Sequence, residues 1–113
     1  MVAFQDGFQF RNLVLKGNIM SFISISHWTA TEITDDMIAK ANEKFIPLVI
    51  ANGATGVQMV RTGDLSTCVI TQYADAAAAQ AAQAKVASLR EQVAKEFPMT
   101  LTSAHGGDVV GSA

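Results

Sequence analysis

Cysteine occurs once in this sequence, at Cys68, so an internal disulfide is excluded, and no Cys/His pair stands at zinc-ligand spacing. A lone thiol fits a reducing compartment, and the sequence reads as cytoplasmic. Charge is scarce as well: 8 Lys and Arg against 10 Asp and Glu leave a net charge of -2, without the basic clusters that a nucleic-acid partner requires. The longest apolar run, Ile46 to Ala51, interrupted in character by Pro47, falls far short of the roughly 20 residues that cross a bilayer. Gly53, Gly56 and Gly63 match neither phosphate-loop nor dinucleotide spacing and read as turn residues. These absences argue against nucleic acid, membrane, metal and cofactor as partners.

What is present suffices for one folded domain. Half of the 113 residues are apolar, and although 18 of them are alanine, Leu, Ile, Val and Phe still number 30. Residues 1–19, rich in Phe, Gln, Asn and Gly, lack the basic-then-apolar order of a signal peptide. Met20 is a natural domain start, which makes 1–19 an N-terminal extension of unassigned role, with Phe8 to Leu15 a possible strand, and 20–113 the domain.

Phe22 to Thr29 alternates with period two, placing Phe22, Ser24, Ser26 and Trp28 on one face and Ile23, Ile25 and His27 on the other. Thr34 ahead of Asp35 and Asp36 is a helix start, and Met37, Ile38, Ala41, Phe45, Leu48 and Val49 recur at helical spacing. Pro47 should bend or interrupt this helix one turn before an Asn52-Gly53 stop. Val57 to Thr62 and Thr67 to Tyr73 form a hairpin around a Gly and Asp turn. Asp75 caps a second helix that runs to Phe97 before Pro98, with Ala79, Ala82, Val86, Leu89, Val93 and Phe97 inward. Met99 to His105 makes the last strand, and Gly106-Gly107 is expected to end it.

Strand, helix, hairpin, helix, strand is the split βαβ order of a ferredoxin-like α+β fold: a four-stranded antiparallel sheet, ordered 4-1-3-2, with two helices on one face. The other face carries Ile23, Ile25, Cys68 and Ile70 and needs a cover, most simply the same face of a second copy in a homodimer. Residues 20–113 resemble the dimeric α/β-barrel superfamily, in particular its antibiotic biosynthesis monooxygenase-like branch. The most telling segment is Thr71-Gln72-Tyr73-Ala74-Asp75 running into a helix. The resemblance implies a cleft between sheet and helices in each protomer, lined by an aromatic residue matched by Tyr73 and a strand-one polar residue matched by Ser26. It also implies a histidine about three turns into the second helix of catalytic or haem-binding members. Here Ala82 or Gln83 stands there. Neither supplies an imidazole.

The candidate ligand-binding residues are Phe22, Ser26, Trp28, Phe45, Thr71 and Tyr73, aromatic walls with a few hydroxyl anchors suited to a small apolar or aromatic molecule. The cleft is expected where Ala76 to Ala82 offer little bulk opposite Ser24 and Ser26. His27 and His105 are expected at opposite ends of the sheet, about 20 Å apart, too far to share a metal. Cys68 reads as inert packing. Arg61 is expected either to salt-bridge at the sheet edge or to bind a carboxylate. Two functions fit: a non-catalytic binding module, or a cofactor-independent oxygenase acting on a phenolic or polyketide-like substrate, with Tyr73, Trp28 or His27 positioning the substrate and taking its proton.

Overall fold

A computed structural model describes residues 21–113, so the extension and the strand expected within it lie outside the described residues. The elements are β1 (Phe22–Ala30), α1 (Asp35–Lys40), a π-helical turn (Ala41–Phe45), α2 (Ile46–Ala51), β2 (Gly56–Gly63), β3 (Ser66–Tyr73), α3 (Ala76–Glu96) and β4 (Met99–Asp108). One four-stranded sheet is ordered β2-β3-β1-β4, with every neighbouring pair antiparallel. The sheet order is the one read from the sequence, and the helices cover one face.

Local chemistry accounts for the element ends. The Thr34 hydroxyl accepts from the Met37 N–H at 3.2 Å, and Asp35 and Asp36 follow in the first turn. Asp75 does the same for α3, its Oδ1 accepting from the Ala78 N–H at 2.8 Å. Gly53, at φ 108, supplies the left-handed residue that turns the chain after α2.

Between α1 and α2 the α-helix is interrupted by the wider π turn, in keeping with the interruption expected at Pro47. Pro47 has no N–H for the carbonyl four residues back, and its ring crowds that carbonyl. The Ile46 N–H instead reaches the Ala41 carbonyl, five residues back, and the Asn42 side chain donates to the Ile38 carbonyl at 2.9 Å. This π turn carries Phe45 into the core, 5% exposed.

The core lies between sheet and helices in two clusters. Phe45, Leu89 and Phe97 form one, with Met37, Val49, Val93 and Met99 around it, and the Phe45 and Phe97 rings meet edge to face at 5.6 Å. Ala54, Tyr73 and Ala82 form the other. Lys44 and Glu96 pair across the solvent side of the two helical segments.

Two features of β4 differ from the sequence reading. The strand continues through Gly106 and Gly107 to Asp108. A Cβ on Gly106 would lie 2.8 Å from Phe22 Cε2 and 2.9 Å from the Ile23 carbonyl oxygen, so glycine is required there by close approach rather than by a turn. A bulge between His27 and Trp28 also shifts the pairing. As a result Ile25 faces His105 and His27 faces Ser103, making the histidines diagonal neighbours with ring centroids 5.7 Å apart. The expected 20 Å separation is therefore wrong: it assumed a strand that stopped at His105. Among the described residues no group of three His, Cys, Asp or Glu side chains is placed to hold a metal ion.

Candidate functional site

Alternation along three strands sends one set of side chains toward the helices. Ser24 faces Thr71, Ser26 faces Val69 and Trp28 faces Thr67 across the β1–β3 ladder, while Val57, Met59 and Arg61 face Thr71, Val69 and Thr67 from β2. Ile33 and Met37 close one side. Phe45 and Val49 roof the set, and Val86, Leu89, Arg90, Val93 and Phe97 approach from α3. The cavity is about 190 Å³, partly open to solvent, and mostly apolar. Apolar cavities of about 150 Å³ take up benzene-sized guests.

Of the candidate residues read from sequence, Ser26, Trp28, Phe45, Thr71 and Tyr73 line this cavity. Phe22 does not. Its ring lies over Gly106, and with Tyr73 it borders a second, more open groove toward β4, of about 480 Å³.

No residue from Ala76 to Ala82 lines the cavity beside Trp28, and Ala82, 2% exposed, packs in the cluster with Tyr73 and Ala54. Small side chains there let α3 approach the sheet closely. Ala76 and Ala79 border the second groove together with Ser24 and Tyr73.

The polar groups are few and individually placed. The Trp28 Nε1–H donates to the Ser26 hydroxyl at 3.0 Å, both residues being 5% exposed. That bond fixes the indole in the wall and leaves the serine proton for another acceptor. The Thr67 Oγ1 is buried with no hydrogen-bond partner among the described residues, in a residue 6% exposed. Burial pushes the Tyr73 phenol above its ordinary range, an effect partly offset by the positive charge of Arg90. At neutral pH Tyr73 is thus an uncharged hydroxyl.

Arg61 binds the turn after its own strand, Nε donating to the Gly63 carbonyl at 3.2 Å and Nη2 to the Asp64 carbonyl at 2.9 Å. Neither Arg61 nor Arg90 forms an ion pair among the described residues. Among the described residues the hairpin carbonyls, rather than the expected carboxylate at the sheet edge, take the guanidinium.

No family model and no curated protein matches the chain. Solved structures do. A protein of unknown function from Nitrosomonas europaea superposes with a TM-score of 0.60 at 18% identity, over 84% of this chain and 94% of that one. A protein described as dimeric and ferredoxin-like, from an uncultured marine organism, superposes with a TM-score of 0.52 at 14% identity, over 83% and 91%. The fold is ferredoxin-like. The antibiotic biosynthesis monooxygenase-like branch rests on the sequence pattern alone.

Thr67 and Arg90 are cavity residues that the sequence reading passed over. Thr67 has the same parity on β3 as Thr71 and Tyr73, so the alternation that found those two also marks it. Arg90 follows Leu89 on the flank of the inward stripe of α3, where a charge reads as solvated surface. Cys68 is buried, unpaired and on the opposite face.

Proposed function

We propose that the protein is a small-molecule-binding module that holds an apolar or aromatic ligand in the cavity between sheet and helices. The observation that carries this reading is an apolar space of about 190 Å³ with a few fixed hydroxyl groups in its wall. The oxygenase reading requires a base to form the enolate or phenolate. Among the described residues that line the cavity there is no histidine, carboxylate or lysine, and burial favours the neutral form of Tyr73. That favours binding over catalysis.

The same reading includes a homodimer of 20–113 domains, joined through the uncovered sheet face. Ile23, Ile25 and Ile70 are half-buried there in a single protomer, and Val60 is 41% exposed. The dimeric description of the marine neighbour supports it. Among the described residues no helix is long and apolar enough to cross a membrane, and the free Cys68 suits the cytoplasm.

Calorimetric titration with phenol, 2-naphthol and dodecanol tests the binding reading. Saturable uptake of at least one, lost in a cavity-filling Val69→Phe variant that still folds, is the expected result. Uptake of none of the three sinks it. Oxygen consumption with a phenolic substrate would instead establish the oxygenase.

A further inference from the structure

Two features of the cavity are left without a counterpart by an apolar guest. The Thr67 hydroxyl is buried and unpartnered, although a hydroxyl removed from water destabilises the fold unless something bonds to it. Arg90 is half-buried on the cavity wall beside Tyr73, and no described carboxylate neutralises it. The hairpin-side cation, Arg61, is already engaged by two carbonyls, which leaves Arg90 as the cavity cation with its donors uncommitted among the described residues.

The two features lie at different ends. Thr67 faces Trp28 near the hairpin, and Tyr73 faces Phe22 at the far end of the same ladder. Six residues of strand separate them, roughly 20 Å between Cα atoms, less at the side-chain tips. The wall between is apolar apart from the Ser and Thr hydroxyls.

Resting on the binding reading above, we propose that the occupant is an apolar acid with a second polar group. Its carboxylate is held by Arg90 and Tyr73, and its hydroxyl or carbonyl pairs with Thr67. A guanidinium offers forked donors that match a carboxylate, and a neutral phenol adds a further donor. A neutral apolar molecule satisfies neither end.

Dodecanol, dodecanoate and 12-hydroxydodecanoate, titrated by calorimetry into the wild-type chain, R90Q and T67V, separate the possibilities. Dodecanoate should bind wild type about tenfold more tightly than dodecanol, a gap that closes in R90Q and narrows at high salt. The ω-hydroxyl should add about fivefold in wild type and nothing in T67V. T67V without ligand should melt at a higher temperature than wild type, since it deletes an unpartnered hydroxyl while keeping the shape. If dodecanol binds and the acid binds no better, the acid assignment is overturned while the binding reading stands. If T67V melts lower, the hydroxyl is already satisfied and the Thr67 end is overturned. If none of the three binds while phenol or 2-naphthol does, the acid assignment is overturned; if those two fail as well, the binding reading fails with it.

Discussion

Tyr73 is the chain's one tyrosine, and its burial has a consequence that can be measured directly. Its folded pKa lies above the unfolded value, so the folded state keeps a proton that the unfolded state releases as pH passes about 10. Stability contributed by the neutral phenol is therefore complete below that pH and declines as pH rises through the folded pKa. Chemical denaturation between pH 8 and 11 should show a steeper loss in wild type than in Tyr73→Phe. Parallel slopes would mean that the phenol titrates as if in water. At Gly106 the argument is steric. The Ile23 carbonyl is backbone and cannot swing away, so Gly106→Ala should destabilise by about 1–3 kcal/mol, read from the denaturation midpoint.

At the scale of elements, the close approach of α3 to the sheet decides the sign of one substitution. Ala82 has 2% of its surface exposed and sits against Tyr73 and Ala54, so Ala82→Leu should overpack and cost about 1–3 kcal/mol in thermal denaturation. A raised melting temperature would show unfilled space there. The same position shows how far sequence reading reached. Thr34, Asp75 and Gly53 announce their helix ends because capping is local chemistry, and the period-two strands put Ser26, Trp28, Thr71 and Tyr73 on one face before any coordinates are known. Where the space between that face and the helices would open was not legible, since it depends on the distance of α3 from the sheet. Nor was the end of β4. A glycine pair signals a stop as readily as a tight passage beneath an aromatic ring, and only the register with Phe22 separates the two.

For the whole molecule, the proposed dimer puts the sheet face away from the helices at its seam. Ile25 and Ile70 stand opposite each other near its centre, flanked by Ile23 and Val60. If two copies meet there, Ile25→Asp buries an unpaired carboxylate at the seam and should convert the protein to a monomer of about 12 kDa by light scattering, while the cavity on the other face keeps its ligands. Wild-type protein that scatters as a monomer at micromolar concentration would refute the dimer outright. Loss of ligand uptake together with the dimer would instead tie the two faces to one another through the sheet.

Trp28 is the chain's one tryptophan, and its indole stands in the cavity wall, 5% exposed and tethered to Ser26. The protein thus carries a built-in optical reporter on the face of the sheet where a guest would sit. Its fluorescence in the empty state should be that of an indole shielded from water. Entry of a molecule beside the ring, or displacement of the Ser26 contact, should change its intensity and wavelength, whereas events confined to the opposite face of the sheet should leave it nearly untouched. Unlabelled protein in a cuvette can then distinguish filling of the cavity from assembly of the chain.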